Sequence, residues 1–582
     1  MPNLSQLKRQ RMIEFLNKIR EEHSDDASLI AINEIETELT DKKYGLVWEK
    51  HEERVDEEMK ANVPVFTEII EKELFADKNL PYNFLLEGDN LHSLKLLEKT
   101  HKRKVDVIYI DPPYNTTNKD FVYDDTYIDA NDGYRHSKWI SFMSERLQIM
   151  QKLLKDTGVI FISIGEQELA NLRLLCDEIF GEQNFITIFS RQMKSGGAKG
   201  KYYTPNIDYI LTYAKSVDKL PYFRAVMTQK QIDTFYNKKE TEGPRKGEVY
   251  GEERLFKASL DIRPNQRYYI QCPDGSFAIP PGINFPEHLV EGLTVLPTDG
   301  DKVWKWIYPR YKEELNKGHI IFKKTKTSGL VDEKGNQSCW NIYNKLWLSE
   351  QQDKGVVPSN FITEFENRQS AAEMKSLGID FTYAKPTNLI KYLITISNQS
   401  KNCLVLDCFA GSGTTGQAVL SLNQDGGNRS FILCTNNENN ICEEITYQRL
   451  KTVVTGTRKD GKKYSDGIPS NLKYYKTDFI AKFSDDADYE VAQELLKHMI
   501  EMVQLEYAVK LDGSNYILIM SDAEADELLD NDHKLEHCKG LYISSNVLLT
   551  GKQEKTLYDK GIPIFTIPDY YFEAELLEVG ER

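Results

Sequence analysis

Long apolar runs are missing from this chain. None of its 582 residues lies in an apolar stretch of about 18, the length a membrane-crossing helix needs. The start, Met1-Pro2-Asn3 and then a charged, Lys/Arg-rich helical pattern, lacks the hydrophobic segment of a signal peptide. These absences predict a cytoplasmic protein with no membrane association. Cysteine is sparse: the eight (176, 272, 339, 403, 408, 434, 442 and 538) form no C-x-x-C pair and are expected to be reduced and mostly buried. His533, His537 and Cys538 cluster, but no second ligand pair follows, so no metal site is expected. Internal repeats and low-complexity tracts are absent as well.

What is present begins with Asp111-Pro112-Pro113-Tyr114. It follows Val105-Asp106-Val107-Ile108-Tyr109-Ile110, an apolar run that reads as a buried parallel strand. Neither proline offers an N–H to a sheet ladder, so the strand ends there. The turn therefore sits at the carboxyl end of a strand, where open α/β sheets bind ligands. Two rigid prolines fix backbone carbonyls, the acid adds an acceptor, and Tyr114 supplies a flat ring. That set suits an amino group on a planar base. An ordinary surface turn is the competing reading, because Asp-Pro is common in turns.

A second motif weighs against the ordinary turn. Leu404 to Ala410 reads as another buried strand and runs into Gly411-Ser412-Gly413-Thr414-Thr415-Gly416, the G-x-G-x-x-G of a nucleotide-binding turn. Gln417 stands where a phosphate-binding loop would need lysine, which excludes a nucleoside triphosphatase. Asp407 at the strand end, and Glu438 after the next strand (Ser430 to Thr435), can hold an amino group and ribose hydroxyls. S-adenosylmethionine and NAD both present an adenosine, so this loop alone does not choose between them. The Asp-Pro-Pro-Tyr turn favours the first, since hydride transfer has no use for it.

Together these residues resemble the amino-group DNA methyltransferases of the β arrangement, in which the target-base motif precedes the cofactor motif. The chain is similar over nearly its whole length to the modification subunit of type III restriction–modification systems. Supporting segments are Asn83 to Leu91, Asn115-Thr116 with Asp120 to Tyr123, Trp139 with Phe142, Met143, Arg146 and Leu147, Gly158 to Ile164, and Phe381 followed by Lys385-Pro386. Two positions depart from the family pattern: Gly165 before Glu166, where an acid or Asn is usual, and Ala384 in place of the first proline of Pro-Lys-Pro.

The resemblance implies transfer of a methyl group from S-adenosylmethionine to N6 of adenine in double-stranded DNA, by a homodimer that works with a restriction subunit. It assigns Asp111, Pro112, Pro113 and Tyr114 to the flipped base. One amino N–H would go to the Asp111 carboxylate and the other to a Pro112 or Pro113 carbonyl. It assigns Asp407, Phe409, Gly411, Gly413 and Thr414 to the cofactor, with Glu438 on the ribose, Asp89 near the adenine and Lys385 on the same side. Asp as the first residue of the turn favours adenine over cytosine-N4, by analogy alone. A chain serving chiefly to recognise DNA for a partner nuclease, and an NAD-dependent oxidoreductase, are the competing functions.

A formal net charge of −16 looks wrong for a DNA-binding protein, but it is unevenly spread. Residues 221–330 hold 18 basic against 14 acidic residues, a local +4, whereas 481–582 hold 9 against 22, a local −13. In the first stretch basic and aromatic residues interleave. Arg263, Arg267, Tyr269, Lys305, Arg310 and Lys324 are the expected DNA contacts, while Tyr268, Trp304 and Trp306 read individually as core.

The expected fold class is α/β: a doubly wound, mostly parallel, Rossmann-like sheet with an inserted β-rich recognition domain and a small C-terminal α/β domain. Residues 1–60 read as a helical arm, with Leu7, Met12, Ile13, Leu16 and Ile19 along one face. Catalytic parts are expected at 61–218 and 375–478, carrying strands 105–110, 158–164, 403–409 and 430–435 and helices 166–180 and 413–422. The insert, 219–374, holds a hairpin signal at Pro273-Asp274-Gly275. The acidic part, 479–582, is expected to contain helix 490–504, strand 516–520, helix 523–530 and strands 540–549 and 562–567, and to contact a partner or second subunit.

Overall fold

A computed structural model describes the chain apart from residues 1–3, 23–25, 41–47, 117–121, 124–125, 128–131, 197–201, 353, 399, 485–488, 530–534, 568–570 and 581–582. Asp120, Phe121 and His533 lie outside the described residues, as does the side chain of Leu7. Two compact units result: Met1–Tyr222 with Ser359–Arg582, and Phe223–Pro358.

The first unit is built on a ten-stranded sheet. Its order is Asn62–Glu68, Asn471–Ala481, Tyr82–Glu87, Ser430–Thr435, Leu404–Asp407, Val105–Ile110, Leu154–Ile164, Ile207–Ala214, Phe185–Gln192 and Phe361–Ile362. The six strands from Asn471–Ala481 to Leu154–Ile164 run parallel, and Ile207–Ala214 lies antiparallel to both of its neighbours. Helices cover the sheet, so the central strands bury nearly every residue, which is why they read as unbroken apolar runs. From Leu404–Asp407 the chain moves to Ser430–Thr435 on one side. From Val105–Ile110 it moves to Leu154–Ile164 on the other. The two starting strands are neighbours, with Val405 opposite Val107 and Leu406 opposite Ile108. A topological switch point therefore lies between their carboxyl ends.

Several elements differ from expectation. The strand expected at 158 starts at Leu154, straight after helix Arg135–Leu153. The helix expected over 166–180 spans Leu169–Cys176 and passes into a wider turn at Asp177–Gly181. The helix expected over 490–504 is two, Val491–Leu496 and Met499–Tyr507. Between them His498 places Nδ1 2.9 Å from the Phe66 carbonyl. Tyr516–Ile519, Gly540–Ser544 and Ile564–Ile567 form a separate three-stranded parallel sheet. Helices Gly551–Lys560 and Glu573–Val579 were not anticipated. Val491, Leu495, Met502, Val503, Leu505 and Tyr542 join the same core as the main sheet, so the acidic segment is part of the first unit. At the other end, helices Leu4–Glu22 and Asp26–Thr40 pack through buried Leu16 and Ile32 and an Arg20–Glu36 ion pair of 2.5 Å.

The second unit holds a four-stranded sheet in the order Ile320–Lys324, Trp340–Trp347, Val249–Arg254, Lys238–Lys239. The hairpin at Pro273-Asp274-Gly275 pairs Ile270–Gln271 with Phe277–Ala278. Leu255, Tyr268, Ile270, Trp304, Tyr311 and Ile342 fill its core. The unit starts later and ends earlier than the expected 219–374. Phe361–Ile362 has joined the main sheet beside Ser190 and Arg191.

Six of the eight cysteines are buried, Cys339 is exposed, Cys538 is half-buried, and all are free thiols. Among the described residues no helix is long and apolar enough to cross a membrane, and no group of three His, Cys, Asp or Glu side chains could hold a metal.

Candidate active site

The Asp111–Tyr114 turn leaves the strand Val105–Ile110 beside the loop that leaves Leu404–Asp407. Its inner half is braced from helix Arg135–Leu153, where the Trp139 indole N–H donates to the Pro113 carbonyl at 2.8 Å. The bond fixes the Pro113 carbonyl in place and leaves it a second lone pair. The Tyr114 ring rests on Gly165. A Cβ there would stand 3.0 Å from Tyr114 Cδ2, so the glycine at this departure from the family pattern gives the ring its floor. The Tyr114 hydroxyl is buried and finds no partner among the described residues. Burial first, then the nearby charges of Asp111 and Asp208, hold the phenol well above its usual range. Lys385 faces the turn from across the site, with Nζ 2.6 Å from each Asp111 oxygen and 5.0 Å from the Tyr114 ring centroid.

The glycine loop is shaped from inside. Asp407 is buried, its carboxylate accepting from Phe409 N at 3.0 Å and from the Thr415 hydroxyl at 2.5 Å. Burial, outweighing those two bonds, pushes this carboxyl up to about 7. Thr414 is buried too; its hydroxyl donates to the Lys385 carbonyl at 3.3 Å and accepts from Arg449 Nη1 at 2.8 Å. Asp407 and Thr414 are thus set inside the loop, their side chains bonding its own groups and those packed behind it. Gly411 and the half-buried Phe409 ring are left on the open side of the loop, while Gly413 is buried against Thr446. Gly411 and Gly413 have φ of 47° and 74°, left-handed values that favour glycine. A Cβ on Gly411 would meet only the Phe409 carbonyl, at 3.8 Å, so the backbone front there is open.

Arg449, wholly buried, bonds Gln417 at 2.6 Å, Thr414 at 2.8 Å, Thr387 at 2.9 Å and Glu373 at 3.2 Å. It ties the glycine loop to the start of helix Thr387–Ser397, just beyond Lys385. Desolvation pushes the Arg449 guanidinium down to about 10.

A second buried cation joins the remaining parts. Arg146 donates to Asn90 at 2.6 Å, to Glu53 at 2.6 Å and to Asp89 at 3.3 Å. Asn90 in turn donates to the Cys408 carbonyl at 2.9 Å, which sets Asp89 beside the glycine loop. Asp89 caps helix Asn90–His101 through Leu91 N at 2.7 Å. Glu438 is exposed on the loop beyond Thr435; its neighbourhood meets the segment before Asp89 where Gly88 N donates to the Thr435 carbonyl at 3.0 Å and Asn437 Nδ2 donates to Glu87 at 3.3 Å.

Sequence reasoning missed the bracing roles of Trp139, Arg146 and Arg449. The available signal was a polar group inside an apolar helix face, as with Arg146 among Met143, Leu147 and Met150.

The second unit divides its expected contacts. Arg267 is wholly buried, donating to the carbonyls of Asn284 at 2.6 Å, Pro280 at 2.7 Å and Lys302 at 2.8 Å. Tyr269 is buried as well. Both are corrected to core residues: an arginine ringed by backbone acceptors is a structural strut, and no phosphate reaches it. Lys305 is ion-paired with Glu253. Arg263, Arg310 and Lys324 are exposed, the last two over the Trp306 and Trp340 rings at 5.1 and 5.5 Å.

Two parallel strands ending in a glycine loop and a rigid acidic turn, at the switch point of a doubly wound sheet, define a Rossmann-like enzyme fold for a nucleoside-bearing ligand. The DNA methylase family model matches residues 105–448, more than half of the chain, and the chain belongs to that family. It is 30% identical over 427 residues to the StyLTI type III restriction-modification Mod subunit of Salmonella typhimurium, covering 67% of this chain and 59% of that protein. It is 30% identical to the EcoPI Mod subunit of Escherichia phage P1, covering 69% of this chain and 65% of that one. The chain thus spans less than two thirds of each Mod subunit. The type II methyltransferase M.KpnI of Klebsiella pneumoniae is also 30% identical, covering 67% of this chain and 87% of the enzyme.

Proposed function

We propose that this chain transfers a methyl group from S-adenosylmethionine to an exocyclic amino group in double-stranded DNA, N6 of adenine, as the modification and recognition subunit of a type III restriction–modification system. The observation that carries the reading is the Asp111 carboxylate on a turn braced through Pro113, beside the strand that leads into the glycine loop. The amino lone pair of adenine is delocalised into the ring and is a poor nucleophile. Asp111 accepts one amino N–H and a Pro112 or Pro113 carbonyl the other, which holds the nitrogen and favours a localised lone pair. Tyr114 supplies the surface on which the flipped base stacks. Positioning carries much of the rate, because the groups need only hold reactants in contact.

S-adenosylmethionine, when bound, supplies an electrophilic sulfonium methyl. The residues present fit it: the open backbone front at Gly411, the Phe409 ring, and the carboxylates of Asp89 and Glu438 for its amine and hydroxyls. Arg263, Arg310 and Lys324 of the second unit meet DNA phosphates or guanine edges. The relatives named as type III restriction-modification Mod subunits support a restriction partner, and a homodimer in a cytoplasmic setting is proposed with it.

The test is methyl transfer from labelled S-adenosylmethionine into unmethylated bacterial DNA by the purified chain, with modified bases mapped. Label on N6 of adenine within one short motif is expected. Label on N4 of cytosine would overturn the choice of base. Cofactor binding without incorporation, even after a restriction subunit is added, would overturn the catalytic assignment.

A further inference from the structure

Glu168 carries a buried carboxylate that neither motif accounts for. It is the N-cap of helix Leu169–Cys176, where an acidic side chain ordinarily accepts from the first N–H groups of its own helix. Its carboxylate makes no such bond. It turns inward instead, with its side chain wholly buried. Oε1 accepts from Asn115 Nδ2 at 2.5 Å and stands 2.5 Å from His136 Nδ1; Oε2 accepts from Asn171 Nδ2 at 2.7 Å. Asn115 is the residue straight after the Asp111–Tyr114 turn, and its φ of 55° is left-handed. Asparagine enters that region more readily than other side chains, and its amide here is held at both ends of the turn's support. Asn115 Nδ2 also donates to the Arg135 carbonyl at 3.3 Å, on the helix whose Trp139 holds Pro113.

We infer that Glu168 is the positioning residue of the base-binding turn, its buried carboxylate holding Asn115 in the left-handed conformation that aims Asp111 and Tyr114. The inference rests on the reading of that turn as the amino-group site, and it adds a residue outside every motif in the chain. A carboxylate suits the place because only an acceptor-only group meets two amide N–H donors and a ring nitrogen together. A glutamine at 168 keeps an oxygen for Asn115, provided half-buried Asn171 turns its own amide. A leucine keeps the bulk and offers nothing.

The experiment compares Glu168→Leu, Glu168→Gln and Asn115→Gly in the full chain by methyl-transfer kinetics, calorimetric cofactor affinity, thermal unfolding, and hydrogen exchange of a peptide spanning residues 110–116. Asn115→Gly keeps the left-handed backbone and deletes the amide. Expected for Glu168→Leu is a kcat lowered about 100-fold, the scale of a 1 Å misplacement, with cofactor affinity unchanged. Faster exchange at 110–116, none at 404–407, and recovery of most activity in Glu168→Gln are expected too. Asn115→Gly is expected to lower kcat with its unfolding temperature kept. Wild-type kcat in both Glu168→Leu and Asn115→Gly overturns the inference. So does a loss of kcat, cofactor affinity and stability together in Glu168→Leu while Asn115→Gly stays normal. If the wild-type chain transfers no methyl, the functional reading fails separately, and the exchange experiment still decides: unchanged exchange at 110–116 in Glu168→Leu overturns the positioning role.

Discussion

Lys385 places its ammonium 2.6 Å from both carboxylate oxygens of Asp111, a residue 274 positions earlier in the chain. The Lys385 carbonyl meanwhile accepts from Thr414 of the glycine loop at 3.3 Å. One residue therefore links the glycine loop to the Asp111 turn. Each Asp111 oxygen keeps lone-pair capacity beyond its bond to Lys385, so a base amino group can be accepted without breaking the pair.

If Lys385 serves to orient Asp111, Lys385→Met lowers kcat about 10-fold, the scale of one hydrogen bond to a charged group, and leaves cofactor affinity alone. Asp111→Ala in the same assay abolishes methylation with the cofactor still bound. Steady-state kinetics and calorimetry together check both. A cofactor affinity that collapses in Lys385→Met would put the ammonium on the cofactor, and its collapse in Asp111→Ala would end the division between base turn and cofactor loop.

Gly165 sets the plane of Tyr114. An added Cβ would sit 2.7 Å from Gln167 Oε1, which can move, and 3.0 Å from Tyr114 Cδ2, which has little room. Gly165→Val is expected to tilt the ring and lower kcat about 10-fold or more, the scale of misplaced reacting groups, with the unfolding temperature nearly unchanged. Measuring kcat beside thermal unfolding separates a tilted ring from a misfolded strand end.

The strands Val105–Ile110 and Ser430–Thr435 were legible to the residue because burial on both faces leaves unbroken apolar runs. The turn was legible because two prolines stop such a strand. The supports were not. Glu168 and Asn115 are 53 positions apart, and no local pattern joins them. Arg267 read as a DNA contact because it sits among aromatic residues, yet its partners are carbonyls 13 to 35 positions away. A buried cation and an exposed one look alike until the chain folds around them.

Arg449 holds the glycine loop against the Lys385 segment from a wholly buried position. Arg449→Met removes every one of its bonds, while Glu373 keeps those from Thr387 and Gln417. Breaking a fully buried charge pair costs about 3 kcal/mol, and less is lost here because Glu373 is partly exposed. The variant is therefore expected to unfold several degrees lower and to bind S-adenosylmethionine more weakly, as read by differential scanning calorimetry and titration. Unchanged stability with weakened binding would mean that the loop alone, and not the packing around it, depends on Arg449.

Asp407 links the same loop to pH. Burial raises its folded pKa to about 7, well above that of an unfolded aspartate. Between those two values the unfolded chain releases the proton first, so the folded state loses stability as pH rises, and the loss is complete once pH has passed the folded pKa. Asp407→Asn removes the titration and preserves the bonding: its oxygen accepts from Phe409 N, and its amide donates to the Thr415 hydroxyl. Relative to wild type, the variant is thus expected to gain stability at pH 8 over what it shows at pH 5. Unfolding temperatures of both proteins at the two pH values measure the difference. An equal shift at pH 5 and pH 8 would mean that the carboxyl is already ionised across this range and that the loop's own N–H and O–H donors outweigh its burial.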